Sequence, residues 1–333
     1  MSEGIVLALI VGVVFVNGWT DAPNAIACAV STGAIKYRSA AWMAGVCNLF
    51  GLLASYLAGA LVTETIFSLV RFNSSPQDAL LALGGAMASI VLFAVAAWRF
   101  GIPTSESHAL ISALSGAAIA LGGGSGVGLP AWGKVLAGLV LSLALGYGQA
   151  WLLVRLFGKA LYALRERALD QFQIFAAGGM AFMHGAQDGQ KFVAIFILAE
   201  LFAKGQSASG PISLAGHLPV LFLCGLTMAL GTSVGGGRIV NLVGYRMVRL
   251  QKAQGVCADL GGALCLLIAS LFGIPMSTTH TKTTAMMGAA SAAGAHRINA
   301  PVVRGIVLTW VITFPVCAFL GWALTGLLLR LHH

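Results

Sequence analysis

From Ala40 to Leu61, and again from Ala79 to Trp98, the chain runs for about twenty residues without one charged side chain. Coiled into a helix, a run of that length spans the hydrocarbon of a bilayer. In hydrocarbon every backbone N–H and C=O needs a partner inside the protein, which leaves helices or a closed barrel. These runs lack the apolar–polar alternation of barrel strands, so an all-α integral membrane protein is expected. Composition agrees: 58% of residues are hydrophobic and 9% are charged, against about 25% charged in a soluble domain. The 43 glycines fit closely packed membrane helices.

Met1-Ser2-Glu3-Gly4 places no basic residue ahead of the first apolar stretch, which argues for a retained span over a cleaved signal peptide. The net charge of +9 is dispersed between apolar segments. It reads as loop charge that sets topology, not as a surface for nucleic acid. Cys28, Cys47, Cys224, Cys257, Cys265 and Cys317 lie singly in apolar stretches with no CxxC pair. They read as small buried hydrophobes, with neither a disulfide frame nor a metal site indicated.

The chain repeats. Phe100-Gly-Ile-Pro-Thr-Ser-Glu-Ser-His108 recurs as Phe272-Gly-Ile-Pro-Met-Ser-Thr-Thr-His280, with six of nine positions identical. Upstream, Asn17-Gly-Trp-Thr-Asp-Ala-Pro-Asn24 aligns with His184-Gly-Ala-Gln-Asp-Gly-Gln-Lys191. The offsets are 172 and 167 residues, so one short loop difference reconciles them. Two transmembrane halves follow, 1–155 and 172–333, joined by a cytoplasmic linker over 156–171. The first half reads as hydrophobic segments at 4–33, 40–61, 79–98, 101–122 and 131–154; the second, at 172–203, 218–236, 256–272, 273–294 and 304–330.

With the central loop inside, Lys36, Arg38, Arg99, Arg155, Lys159, Arg165, Arg167, Arg238, Arg246, Arg249, Lys252, Arg297 and Arg304 are cytoplasmic. Only Arg71, Lys134, Lys204 and Arg330 then fall outside, which predicts both termini outside. An odd number of crossings per half makes the repeats inverted, with a site expected at the bilayer midplane. Segments 4–33 and 172–203 would be about 45 Å long as straight helices, against about 30 Å of hydrocarbon. A break at the polar motif is expected in each, and the Pro-Ser/Thr segments are candidate re-entrant hairpins.

Asp21 and Asp188 stand inside apolar segments, where a charge costs roughly 2.5–3.5 kcal/mol on insertion scales. Such a carboxylate is a functional candidate, with capping of a broken helix as the plainer alternative. Asn17, Asn24, Gln187 and Gln190 offer carbonyl oxygens to Na+ or amide donors to an anion. The Ile-Pro-x-Ser segments supply the opposite chemistry. Proline suits a first helical turn, whose free N–H groups favour anions, and Thr104, Ser105, Ser107, Ser277, Thr278 and Thr279 add hydroxyls. Two such helix starts facing each other would cradle a tetrahedral oxyanion; the plainer alternative is that the hydroxyls only cap helices.

His108 and His280 read as structural hydrogen-bonding residues, with proton handling as the alternative; a zinc site would need three or four converging ligands, which the sequence does not show. His184 is the better candidate for handling a proton. Glu106, at the position of Thr278, could accept a substrate proton, carry a coupling proton or simply face a cytoplasmic vestibule. Lys191 replaces Asn24 of the first half; its ammonium could stabilise a divalent anion, stand in for a bound Na+, or only reach the interface from a broken helix. Lys282 is the other lysine inside a motif segment.

With both motif pairs in hand, the chain resembles the inorganic phosphate transporter (PiT) family, bacterial type, over nearly its whole length. The resemblance rests on Asn17–Asn24, on His184–Lys191 with its Gln-Lys ending, and on Gly273-Ile-Pro-Met-Ser-Thr-Thr-His280. It implies phosphate uptake in symport with Na+ or H+, by an inverted-repeat protein of the bacterial inner membrane that commonly dimerises. Some members carry sulfate. No organic cofactor is implied, and bound Na+ would sit on Asp21 and Asp188. Thr20 and Gln187 depart from the Asn that often precedes the Asp, Pro23 from a small residue and Glu106 from a Thr. A passive anion channel is disfavoured because two carboxylates at its centre would repel its ion, and no nucleophile–base pair suggests an enzyme.

Overall fold

The computed structural model describes residues 3–59, 61–72, 74–100, 104–206, 216–292, 294 and 298–333. Gly101, Ile102 and Pro103 of the first Pro-Ser segment, and Arg297, lie outside them. Helices dominate, and no strand occurs among the described residues. In the first half they are α1 (Glu3–Thr20), α2 (Pro23–Ser31), α3 (Tyr37–Leu57), α4 (Leu61–Phe67), α5 (Pro76–Arg99), α6 (Glu106–Gly122) and α7 (Leu129–Tyr162). The second half holds α8 (Glu166–Ala203), α9 (Leu218–Gly235), α10 (Gly237–Val240), α11 (Lys252–Leu271), α12 (Thr278–Ser291) and α13 (Ala300–His332). Among the described residues, seven helical stretches are long and apolar enough to cross a membrane, with Glu3–Ser31 counted as one.

The first motif does break its helix. Pro23 has no N–H to continue the ladder, so α1 ends at Thr20 and α2 restarts at Pro23. The expected second break is absent: α8 runs unbroken for 38 residues. Gln190 stands where Pro23 would align, and its N–H keeps the ladder intact. The linker is also shorter than expected, because α7 runs to Tyr162 and α8 starts at Glu166. Arg155, Lys159 and Arg167 end the apolar stretches without ending the helices, since a charged side chain does not break an exposed helix. At 14 residues, α12 is only about 21 Å long, short of a bilayer crossing.

Packing reproduces the repeat. Helix α3 lies against α8 as α9 lies against α1, and α6 against α13 as α12 against α7. The contacts are backbone-close for the same reason in each pair. A Cβ at Gly18 or Gly231 would run into the carbonyl of Met228 or Phe15, and one at Gly185 or Gly51 into that of Asn48 or Phe182. Gly18 and Phe15 are the repeat equivalents of Gly185 and Phe182. Gly116 and Gly288, 172 residues apart, likewise meet the carbonyls of Ala318 and Tyr147. Each pair joins a helix of one half to a helix of the other, so the two halves interlock in the packing.

This predicts that Gly51→Ala costs about 1–3 kcal/mol through overpacking, read as a lower melting temperature in detergent. Gly179→Ala on α8, where a Cβ meets nothing within 4 Å, should leave the melting temperature unchanged or slightly raised.

Candidate functional site

Two helices start nose to nose. Ser105 caps α6 by accepting the His108 N–H at 3.4 Å, and Ser277 caps α12 by accepting the His280 N–H at 3.2 Å. The two cap hydroxyls lie 2.9 Å apart. Around them the bonds are reciprocal: Ser107 Oγ donates to the Met276 carbonyl at 3.4 Å, and its equivalent Thr279 donates to the Thr104 carbonyl at 3.2 Å. One turn on, the His108 and His280 rings meet edge to face with centroids 4.3 Å apart. His280 also packs on Trp310 and His108 on Phe314; the hydrogen bonding expected of them is not seen at either ring nitrogen of His280 or at Nδ1 of His108, which are buried without a partner among the described residues.

The two carboxylates reach this junction from α1–α2 and α8. Asp21 sits in the helix break, and its side chain accepts Thr279, the Thr278 hydroxyl at 3.2 Å and Asn24 Nδ2 at 3.2 Å. Asp188 accepts Asn17 Nδ2 at 3.0 Å, the same Thr278 hydroxyl at 3.3 Å and the Lys191 ammonium at 2.6 Å. Thr278 thus stands between two carboxylates although it has one proton to donate. His184 Nε2 lies 3.4 Å from Asp188, while its Nδ1 is 3.1 Å from Asn48 Oδ1. One ligand atom each from Asp21, His184 and Asp188 falls within 4.8 Å of the others, close enough to share a cation.

The other expected residues divide. Glu106 belongs to the junction: its Oε1 accepts Thr20 at 2.9 Å and Thr104 at 3.1 Å, while Oε2 is buried without a partner among the described residues. Gln187 and Gln190 are spent on backbone. Gln187 Nε2 donates to Ser270 Oγ and the Ile274 carbonyl, and its Oε1 accepts the Met276 N–H. Gln190 Oε1 accepts the Val62 N–H at 3.0 Å, and its Nε2 donates to the Ala186 carbonyl. They hold neighbouring segments against α8, each amide oxygen accepting one backbone N–H. By contrast, Asn17 Oδ1 and Asn24 Oδ1 are buried and unpartnered. Every candidate side chain is at most 3% exposed, so the site is sealed from both sides.

A second buried charge pair lies beside it. The Lys282 ammonium pairs with Asp259, whose other oxygen accepts Gln173 Nε2 at 2.6 Å. Asp259 and Gln173 were not among the expected residues, yet an acidic residue within segment 256–272 is the signal that marked Asp21 and Asp188. The first-half equivalent of Lys282 is Leu110, buried in an apolar cluster, so an apolar side chain fits this place in the fold. Asp259→Leu alone should therefore cost about 3–5 kcal/mol by stranding the ammonium, read as lost monodisperse protein and a lower melting temperature. Adding Lys282→Leu should restore most of that loss; a double variant as unstable as the single would contradict this.

Known proteins share this arrangement's sequence and fold. Residues 17–170 and 161–321 match the model of the phosphate transporter family. A protein of Bacillus subtilis (strain 168), "Probable low-affinity inorganic phosphate transporter", is 32% identical over 311 residues, covering 92% of this chain and 91% of that protein. One of Rhizobium meliloti (strain 1021) with the same description is 33% identical over 336 residues, covering 96% and 97%. A solved structure, "The sodium-dependent phosphate transporter", has the same fold at a TM-score of 0.86 and 21% identity, with 99% of each chain covered. Paired helix starts, paired carboxylates and a match along both halves lead to one assignment: this multi-pass membrane chain belongs to the phosphate transporter family.

Proposed function

We propose that the chain imports inorganic phosphate by symport with a cation, through alternating access around the junction of α6 and α12. The observation that carries this reading is that one sealed site holds ligands for both signs of charge. Two helix N-termini and the hydroxyls of Thr104, Ser105, Ser107, Ser277, Thr278 and Thr279 suit a tetrahedral anion. Asp21 and Asp188, with Asn17 and Asn24, suit a cation. Neither load alone satisfies the site. A dianion brought beside two carboxylates would be repelled, and at an effective dielectric of about 20 one pair of unit charges 4 Å apart already interacts by about 4 kcal/mol. A cation between them offsets that repulsion, which makes entry of each ion depend on the other.

The two relatives described as inorganic phosphate transporters support phosphate as the anion, and the structural neighbour named as sodium-dependent supports Na+ as the cation. A second version of the coupling step is favoured by the unpartnered, buried Glu106 Oε2: Glu106 would carry a proton, with His184 beside Asp188 as a relay. On this reading the protein works in the bacterial inner membrane with both termini outside, as a homodimer of inverted repeats.

Proteoliposomes loaded with neither ion test the reading. Labelled phosphate should accumulate under an imposed Na+ or proton gradient, and sulfate in excess should compete weakly. Accumulation of sulfate but not phosphate would leave the transporter and overturn its substrate; accumulation of neither would overturn symport. Asp21→Asn should lower gradient-driven uptake at least about tenfold, the scale of one lost charge-assisted contact.

A further inference from the structure

The two halves gather equivalent oxygens and fill them differently. In the second half the Lys191 ammonium touches three: Asp188 Oδ1 at 2.6 Å, Ser107 Oγ at 2.6 Å and the Met276 carbonyl at 2.7 Å. An ammonium has three N–H donors, so all are used. Shifted by the repeat, the three groups become Asp21, Thr279 and the Thr104 carbonyl, and these too converge: Thr279 donates to Asp21 and lies 3.2 Å from Thr104 O. Where Lys191 stands in the second half, the first has Asn24. Its Nδ2 faces Asp21, and its Oδ1 is buried with no partner.

We infer that Lys191 is a tethered substitute for one coupling cation, so that only the first half of the site takes a cation from solution. This rests on the symport reading above. The ammonium is a compact point charge held by a carboxylate, a hydroxyl and a carbonyl, the oxygen types that bind a dehydrated monovalent cation. In the first half no Lys or Arg nitrogen among the described residues meets the same oxygen types, and Asn24 brings a buried Oδ1 with no partner among those residues. Glu106 meets this region through the Thr20 and Thr104 hydroxyls, and His184 lies on the other Asp188 oxygen, Oδ2, with a ring nitrogen within 4.8 Å of an Asp21 oxygen. Of the two negative charges on Asp21 and Asp188, Lys191 balances one permanently, which leaves one for the travelling cation. A relative with an uncharged oxygen-bearing residue at this position would carry one cation more per phosphate.

The test counts cations per phosphate in proteoliposomes, by parallel fluxes of labelled phosphate and of the cation that drives the wild type (²²Na+ or a pH dye). Lys191→Asn copies the first half and should raise the ratio by one, with the Hill coefficient for the cation moving from about 1 toward 2. Asn24→Lys should do the reverse: phosphate exchange persists while dependence on the cation gradient disappears. Where a variant folds but does not transport, saturable cation binding to the purified protein gives the same count, one more than wild type for Lys191→Asn and one fewer for Asn24→Lys. Unchanged ratios or binding counts overturn the inference and leave symport standing. A wild type driven by neither gradient fails at the earlier reading.

Discussion

A helix that begins inside a protein leaves its first N–H groups without intrahelical partners, and here two such beginnings are pressed together. The contact between Ser105 Oγ and Ser277 Oγ at 2.9 Å is the pivot on which the site depends. It brings the partial positive ends of α6 and α12 to one point, which is unfavourable unless negative charge collects there. Asp21 and Asp188 supply that charge from α1–α2 and α8. Their hydrogen bonds to Thr278 and Thr279 fix the carboxylates against the first turn of α12. The interlocked pairs α3–α8, α1–α9, α6–α13 and α7–α12 hold these pieces in place through glycines that let backbones touch.

The frame is symmetric and the charges are not. Pro23 breaks the first motif helix while Gln190 leaves α8 whole. Glu106 faces Thr278 across the repeat, Asn24 faces Lys191, and Leu110 faces Lys282. Three of these four differences place a charge on one side only. Two identical halves would present the same ligands twice, whereas this site has a carboxylate clamped by an ammonium on one side and a carboxylate held by neutral groups on the other. An asymmetric site of that kind can bind two unlike ions in a set order.

Much of this was legible in the sequence, for definite reasons. A carboxylate inside an apolar run is costly enough to be informative, and a nine-residue motif found twice gives the repeat and the facing helix starts together. Asp21, Asp188 and the Ser/Thr hydroxyls were found that way. Gln187 and Gln190 looked like site ligands because they neighbour Asp188, but each amide oxygen accepts a backbone N–H from a segment distant in sequence, Met276 or Val62, which no local pattern reveals. The break expected in α8 followed from its length and the polar motif at its middle; the structure shows that a proline, not a buried charge, makes the break. Asp259 was open to the same test as Asp21, and its lysine partner lay in a segment already singled out.

The location of the anion is the central claim, and anomalous diffraction from crystals soaked with arsenate, a tetrahedral stand-in for phosphate, tests it most directly. The account predicts an arsenic peak between the N-termini of α6 and α12, within hydrogen-bonding reach of Ser105, Ser107, Ser277 or Thr278. A peak confined to the basic cavity of about 740 Å³ beside Arg246 and Arg249, with nothing at the paired helix starts, would contradict it.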